Sequence, residues 1–141
     1  MAGREFITVD WLDGMAFQAD VDGHPLILDT PASAGGQNRG PRPKPLLLVA
    51  LAGCTGMDVV SILQKMRVPL EKFRLLVEGE LTGEHPRQFV RVHLIYEFTG
   101  KNLPEEKLRQ AISLSQEKYC GVTATLKKAI PVTWEIKIIE S

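Results

Sequence analysis

The first third of the chain alternates apolar and polar residues in short stretches, which is the pattern of half-buried β-strands. Residues 4–12 end at Asp13-Gly14, a pair typical of tight hairpin turns, and residues 15–21 alternate again beyond it. Asp22-Gly23 predicts a second tight turn, which leads into a short strand over residues 24–29. We therefore predict a three-stranded meander at the start of the chain.

Residues 30–45 interrupt this pattern with a segment rich in glycine and proline. Such a composition predicts a loop, and a loop of this length is either functional or mobile. The segment carries Arg39 and Arg42, which are candidate cations for a reactive group. Nothing in the sequence predicts a tether for either arginine, so we expect the loop to be disordered.

From residue 46 the apolar residues cover almost every side of a predicted helix, so this helix should be central and buried. The helix continues to residue 66, and Pro69 lies beyond its end. Cys54 falls in its middle, close to Gly53 and Gly56, which leave the backbone bare beside the thiol. Such an apolar helix in so short a chain needs more cover than one sheet provides, so we expect an obligate homodimer.

The rest of the chain alternates strand patterns with helix patterns. The predicted elements are two long strands, a helix that begins with a proline, a short helical turn and a last strand, at residues 73–81, 88–98, 104–118, 122–128 and 130–139. The sequence contains no internal repeat. The predicted fold class is therefore α+β, in a single domain that spans residues 1–141.

Composition and charge narrow the possible functions. Apolar residues make up 44% of the chain and charged residues 24%, as in ordinary globular proteins. The basic and acidic side chains number 17 each, so no net charge draws the protein toward nucleic acid or an anionic membrane. The N-terminus lacks the apolar core of a secretory signal, and the longest apolar run, residues 46–52, is shorter than the roughly 20 residues that cross a bilayer. We expect a soluble cytoplasmic protein.

The two cysteines, Cys54 and Cys120, lie 66 positions apart (120 − 54). A reducing cytosol argues against a structural disulfide. Neither a CxxC spacing nor a histidine–cysteine ligand pattern is present, so we expect no metal and no cofactor. Two interpretations stay open: the cysteines are either buried and inert, as many free cysteines are, or a pair that the fold brings together.

A pair of cysteines can carry out redox chemistry. A thiolate that attacks a peroxide becomes a sulfenic acid, and a second thiol condenses with it to a disulfide before further oxidation destroys it. For Cys54, the second thiol available in the chain is Cys120. Asp58 lies four residues after Cys54 on the same helix face, where it would repel a thiolate, orient a cation, or serve simply as a hydrogen-bonded polar group.

Two segments resemble the cysteine-bearing helices of the OsmC/Ohr superfamily. Residues 46–60, LLLVALAGCTGMDVV, are similar to its first-cysteine helix, and residues 112–122, ISLSQEKYCGV, are similar to its second-cysteine helix. Residues 84–87, EHPR, and residues 92–94, VHL, look like the YhfA-like branch of that superfamily. The similarity extends from about residue 40 to the C-terminus, with both cysteine segments at the separation typical of the family.

The resemblance implies an OsmC-like fold, with antiparallel sheets packed around a long buried central helix in an intertwined homodimer. It also implies a thiol-dependent peroxidase that reduces organic hydroperoxides. Cys54 would attack the peroxide, and Cys120 would resolve the resulting sulfenic acid as a disulfide. A dithiol reductant, such as a lipoyl group or another small thiol, would then reduce that disulfide.

One departure from the family pattern bears on activity. Family members commonly carry a glutamate nine or ten residues before the first cysteine, paired with an arginine over the thiol, whereas this chain has Lys44 and Pro45 there. Arg39 and Arg42 are candidate cations for Cys54 because they lie near it in the sequence, and Lys44 is the next candidate. Loss of the glutamate keeps a second function open, namely a non-catalytic protein that retains the fold and binds a small hydrophobic ligand.

Overall fold

The computed structural model describes residues 3–141, which divide into two compact units, residues 3–47 and residues 48–141. The strands are Thr8–Asp13 (β1), Ala16–Val21 (β2), His24–Leu28 (β3), Lys72–Leu81 (β4), Phe89–Gly100 (β5) and Val132–Glu140 (β6). The helices are Pro45–Lys65 (α1), Glu105–Leu114 (α2) and Gly121–Leu126 (α3). This order confirms the predicted α+β class, and all the predicted elements of the described range are present.

The first unit is built on the predicted meander. β2 is its central strand and pairs antiparallel with both β1 and β3. The first hairpin turns after Asp13, which pairs with Ala16 across an irregular register. In the second turn, Asp22 and Gly23 have φ angles of 53° and 80°, the left-handed conformation that a tight two-residue hairpin turn requires. Local turn chemistry therefore produces this sheet, as the sequence predicts.

The glycine- and proline-rich segment that follows is a folded loop. The Asp29 N–H donates to the Pro41 carbonyl at 3.1 Å. The Asn38 N–H donates to the Thr30 carbonyl at 2.9 Å. A Cβ atom on Gly36 would lie only 2.1 Å from the Thr30 carbonyl oxygen, so no larger residue fits there. The expectation of a disordered loop is wrong, because glycine at this close approach allows the backbone to fold back and hydrogen-bond to itself.

The second unit contains a three-stranded sheet with β5 in the middle. Alternate side chains of β5 are almost fully buried on one face, at Val92, Leu94, Tyr96 and Phe98. The opposite face is mostly polar, and its Glu97 pairs with Arg74 of β4 at 3.5 Å and with Lys137 of β6 at 3.7 Å. This alternation is expected of a sheet that covers a core with one face only.

The second sheet is mixed rather than antiparallel. β4 pairs with β5 antiparallel, whereas β6 pairs with β5 in parallel. The prediction of antiparallel sheets is therefore wrong for this sheet. The physical reason is the connection between β5 and β6, which contains α2 and α3. A long crossover of this kind returns the chain to the end of the sheet where β5 began, and the next strand then runs in the same direction.

α1 contributes one stripe to the core of the second unit. Its buried residues recur at about four-residue spacing, at Leu51, Thr55, Gly56, Val59 and Leu63. The other side of the helix is open in the single chain, where Val49 is 62% exposed and Met57 is 77% exposed. A helix buried on every side is thus not confirmed for one chain, and the homodimer that would cover its open side stays a prediction.

The length of α1 also bears on membrane association. With 21 residues, α1 is long and apolar enough to cross a bilayer by length and composition alone, although its longest uninterrupted apolar run is short. The core helix of a soluble protein meets the same criterion. The buried stripe of α1 belongs to a hydrophobic core together with residues of β5 and α2, but only 28% of the most apolar part of α1 is buried in the single chain.

Candidate active site

The fold brings the two cysteines together. Cys54 lies in the middle of α1 and is half-buried, whereas Cys120 is the buried N-cap residue of α3, and both are free thiols. Asp58 lies about one helical turn after Cys54. The two sulfur atoms and a carboxylate oxygen of Asp58 all lie within 4.8 Å of one another. The candidate site therefore consists of two thiols and one carboxylate, where α1 meets the segment between α2 and α3.

A π-helical turn, Ser115–Tyr119, leads into Cys120. It continues directly from α2, and the Cys120 N–H donates to the Ser115 carbonyl, five residues earlier, at 2.7 Å. Ser115 and Gln116 are buried, while the next three residues are exposed. Single π-turns inside helices occur frequently at functional sites. The sequence predicts a helix here but contains no signal that distinguishes a π-turn from an α-helical one.

The environment of Cys120 favours the neutral thiol. Burial raises the pKa of the Cys120 thiol, and the neighbouring Cys54 adds to that increase. The Thr123 N–H donates to Cys120 Sγ at 3.3 Å and acts in the opposite direction, without cancelling the effect of burial. Cys120 must therefore lose a proton before it can act as a nucleophile, because the thiolate is the reactive form.

Two glycines shape the surroundings of Cys54. A Cβ atom on Gly56 would lie 2.9 Å from the Leu75 side chain, so this glycine allows α1 to lie close to β4. Gly53 is exposed, and a Cβ atom there would meet no described atom within 4 Å. Cys54 therefore has one packed side and, in the single chain, one open side.

A chain of buried hydroxyl groups ends at Asp58. Tyr96 Oη lies 2.6 Å from Thr55 Oγ1, which in turn lies 2.7 Å from Ser115 Oγ. Ser115 Oγ donates to Asp58 Oδ2 at 2.9 Å. Gln116 Nε2 donates to Tyr96 Oη at 2.7 Å and to Thr55 Oγ1 at 3.2 Å. All three hydroxyl-bearing residues are 0% exposed, so these bonds are shielded from water.

Each hydroxyl group in this series donates its hydrogen to the next group in the direction of the Asp58 carboxylate. A carboxylate only accepts, so the single hydroxyl hydrogen of Ser115 goes to Asp58. Ser115 must then accept from Thr55, and Thr55 must accept from Tyr96, because each hydroxyl carries one hydrogen. Burial raises the pKa of Tyr96, which keeps its phenol protonated as a donor. Aligned hydrogen bonds of this kind strengthen one another.

The sequence does not single out these polar residues, although one signal is present. Thr55 lies at four-residue spacing from both Leu51 and Val59, so its side chain belongs to the buried stripe of α1. A buried hydroxyl needs a hydrogen-bond partner, which predicts a polar neighbour somewhere in the core. Ser115 and Gln116 carry no comparable signal, since the π-turn that buries them is not predictable from the residues.

Arg39 is held by two carboxylates of the first unit. Its guanidinium lies 2.8 Å from Asp13 Oδ1 and 3.4 Å from Asp29 Oδ2. Asp29 is buried and accepts backbone N–H groups from Thr30, Gln37 and Arg39. The hydrogen bond from Thr30 is the main reason that the pKa of Asp29 lies below its ordinary value. The expectation that nothing tethers Arg39 is wrong, because the folded loop brings it back onto Asp29.

The other two candidate cations form no ion pair within the described part of the first unit. Arg42 and Lys44 are exposed, and neither forms an ion pair within residues 3–47. Of these three candidate cations, only Arg39 has carboxylate partners in the described part of the first unit.

Cys54, Asp58 and Cys120 also form a set that could hold a metal ion. Two thiolates and a carboxylate suit a thiophilic cation such as zinc. Both cysteines would have to be reduced and deprotonated for such binding, so it would exclude a disulfide between them.

Comparisons with known sequences assign the chain to a family. The family model described as OsmC-like protein matches residues 35–135. Protein YhfA of Escherichia coli strain K12 is 33% identical over 132 residues, which cover 93% of this chain and 96% of that protein.

Solved structures share the fold. A hypothetical protein from Aquifex aeolicus VF5 is similar with a TM-score of 0.82 and 27% identity, and the match covers 97% of this chain and 98% of that one. The organic hydroperoxide resistance protein OhrB of Bacillus subtilis is similar with a TM-score of 0.66 and 18% identity, over 96% of this chain and 98% of that one.

Proposed function

Since the chain belongs to the OsmC-like protein family, we propose that it is a thiol-dependent peroxidase that reduces organic hydroperoxides. The observation that carries this proposal is the pair of free thiols, Cys54 and Cys120, whose sulfur atoms lie within 4.8 Å of each other. Among proteins with this fold is OhrB, whose name records organic hydroperoxide resistance. The proposed place of action is the cytoplasm, where both thiols stay reduced between turnovers.

In the proposed cycle, the Cys54 thiolate attacks the terminal oxygen of a hydroperoxide. An S–O bond forms as the O–O bond breaks, the alkoxide takes a proton and leaves as an alcohol, and Cys54 becomes a sulfenic acid. Cys120 then attacks that sulfur, so that an S–S bond forms and the hydroxyl group leaves as water with the Cys120 proton. A dithiol, such as a lipoyl group or another small thiol, reduces the disulfide by exchange and is itself oxidised.

The Cys54 thiolate also needs positive charge or hydrogen-bond donors to support it. Arg39 and Arg42 remain the proposed sources of that charge. The ion pairs of Arg39 with Asp13 and Asp29 support one part of this proposal, because they give the arginine carboxylate partners, although residues 30–53 contain no Asp or Glu. Four of the five guanidinium N–H groups of Arg39 donate to Asp13 and Asp29, which leaves one N–H group for a peroxide oxygen.

We also propose that the protein is a homodimer. Large apolar side chains are exposed in the single chain, among them Phe6 at 84%, Trp11 at 66% and Met57 at 77%. Covering a side chain of this size contributes roughly 1.5–3 kcal/mol. A second copy is the partner that the family resemblance implies, and an obligate interface of this kind buries more than about 2,000 Å².

A second candidate function is non-catalytic binding of a small hydrophobic ligand. Lys44 and Pro45 favour it, because they stand where members of the family commonly carry a glutamate. The raised pKa of Cys120 also favours it, since a neutral thiol is a poor nucleophile. The neighbouring pair of free thiols favours the peroxidase.

A steady-state assay separates the two functions. Peroxide consumption is measured with cumene hydroperoxide, tert-butyl hydroperoxide and hydrogen peroxide, each with dihydrolipoamide, dithiothreitol or glutathione as reductant. We expect the wild type to prefer an organic peroxide and a dithiol. Cys54→Ser should be inactive, and Cys120→Ser should turn over only as fast as an external thiol resolves the sulfenic acid. Ser33→Ala, at an exposed position of the first unit, serves as the control.

Two outcomes contradict the peroxidase proposal: full activity in Cys54→Ser, or no consumption by the wild type under any combination of peroxide and reductant. Thermal unfolding in the presence of small hydrophobic ligands then tests the alternative, because a ligand that binds only the native state raises the unfolding temperature.

A further inference from the structure

We infer that Asp58 is the acid–base residue of the disulfide-forming step. It takes the proton from the Cys120 thiol and delivers it to the hydroxyl group that leaves Cys54. The buried chain of Tyr96, Thr55 and Ser115 positions Asp58 for this role. The inference rests on the proposed peroxidase function and adds a residue to it.

Geometry selects Asp58. One of its carboxylate oxygens lies within 4.8 Å of both sulfur atoms, so a single group can serve both ends of the proton transfer. Distances to catalytic groups are often long before the reacting complex forms, and they shorten within it. Asp58 forms no ion pair within residues 48–141, so no cation of that unit masks its charge by direct contact.

The step needs a base inside the protein. Cys120 is 3% exposed, so bulk water has little access to its proton. The same burial holds its thiol in the neutral form, as its raised pKa indicates. A sulfenic acid, in turn, releases its hydroxyl group more readily when a proton reaches the oxygen. Asp58 adjoins both Cys120 and Cys54, and a carboxylate can accept a proton and give it back.

The hydroxyl chain gives the carboxylate a fixed orientation. Ser115 occupies Oδ2 of Asp58 and leaves the other oxygen without a hydrogen bond from that chain. The series of hydrogen bonds from Tyr96 through Thr55 ends in a single donor to the carboxylate, the Ser115 hydroxyl group. Ser115 and Thr55 therefore act as positioning residues, since neither needs to exchange a proton during the reaction.

The proposed step balances in atoms, protons and electrons. It begins with Asp58 as a carboxylate, Cys120 as a thiol and Cys54 as a sulfenic acid. The thiol proton moves to Asp58, the Cys120 sulfur supplies the electron pair of the new S–S bond, and the S–O bond of Cys54 breaks. The departing hydroxide takes the proton from Asp58 and leaves as water. Asp58 ends as the carboxylate with which it began.

The Asp58→Asn variant tests the inference. Asparagine keeps the shape and still accepts a hydrogen bond from Ser115, but it cannot take up a proton. Reduced protein is mixed with one equivalent of cumene hydroperoxide, quenched at set times and analysed by intact mass. We expect the sulfenic acid to accumulate and disulfide formation to slow about 100-fold, a typical contribution of general acid–base catalysis. Glu117→Gln, an exposed acidic residue of the π-turn, is the matched control.

The pH profile of disulfide formation distinguishes proton transfer from a structural effect. Among the described residues, the titratable groups in this cluster besides Asp58 are Cys54, Cys120 and Tyr96, and the Lys127 ammonium donates to the Gln116 carbonyl beside it at 3.4 Å. In the wild type, the rate should be nearly constant around neutral pH. In Asp58→Asn, hydroxide must replace the base, so the rate should rise about tenfold per pH unit. Ser115→Ala should slow the step less than Asp58→Asn does, and Ser115→Thr should restore it. A pH profile for Asp58→Asn that matches the wild type would overturn the inference.

A second reaction keeps the test independent of peroxide. With 2,2′-dithiodipyridine, one thiol first forms a mixed disulfide and releases one thiopyridone. The second thiol then attacks that mixed disulfide, closes the protein disulfide and releases another. We expect this second release to be slow in Asp58→Asn. If the wild type does not consume peroxide but Asp58→Asn releases the second thiopyridone slowly, the peroxidase proposal is refuted and the role of Asp58 is supported. Wild-type rates for Asp58→Asn in both reactions overturn that role.

Discussion

Oxidation of the cysteine pair is expected to stabilise the protein. A disulfide between Cys54 and Cys120 closes a loop of 66 positions (120 − 54). The lost chain entropy of the unfolded state is worth about 4 kcal/mol for a loop of this length. The sulfur atoms lie within 4.8 Å, against about 2.05 Å in a disulfide, so the side chains must turn toward each other. Strain from that movement subtracts from the gain, and we expect a net effect of about 2–4 kcal/mol.

Urea unfolding of oxidised and reduced protein measures this difference. The two forms are compared at one protein concentration, because association would make stability depend on concentration. With a slope of about 2 kcal/mol per M urea, the midpoint should rise by about 1–2 M on oxidation. The double variant with Cys54→Ala and Cys120→Ala should show no difference between the two conditions. An oxidised midpoint equal to or below the reduced one would refute the idea that the native fold holds the thiols ready to bond.

Three other measurements test the pKa of Cys120, the cation beside Cys54 and the assembly of the protein. Because the pKa of Cys120 is raised, the native state holds this thiol proton more tightly than the unfolded chain, so the reduced protein should lose stability as pH rises above about 9. In thermal unfolding, the Cys120→Ala variant should lose less stability over this pH range than the wild type. An equal loss in both proteins would contradict this prediction. Arg39→Ala and Arg42→Ala should each slow peroxide consumption. If both variants keep the full rate while Cys54→Ser is inactive, another cation supports the Cys54 thiolate, and Lys44 is the next candidate. Sedimentation at micromolar concentration should give a dimer, and a monomer would contradict the proposed homodimer.

The first sheet was predictable because its signals are local. Asp13-Gly14 and Asp22-Gly23 specify tight turns by their own backbone preferences, and the strands between them follow from simple alternation. The direction of β6 was not predictable in the same way, since alternation is identical in parallel and antiparallel strands. The helices between β5 and β6 were the available signal, because a crossover of that length favours parallel pairing.

The site was predictable only in part. The proximity of Cys54 and Cys120 was expected from the family resemblance, since the residues alone favoured buried, inert thiols. Asp58 could be placed beside Cys54 from the helical period. Tyr96 and Ser115 could not be placed there, because their contacts depend on long-range packing of β5 and on the π-turn after α2. Arg39 was a candidate from sequence, but its partner Asp29 is set by the folding of the loop.

The central claim is that Cys54 and Cys120 act as one redox pair toward organic hydroperoxides. Counting thiols tests it most directly: reduced protein receives one equivalent of cumene hydroperoxide, free thiols are alkylated, and the intact mass and proteolytic fragments are measured. We predict that both thiols disappear together and that one disulfide joins the fragment containing Cys54 to the fragment containing Cys120. If both thiols remain open to alkylation while the peroxide persists, the two cysteines are not a peroxidatic pair.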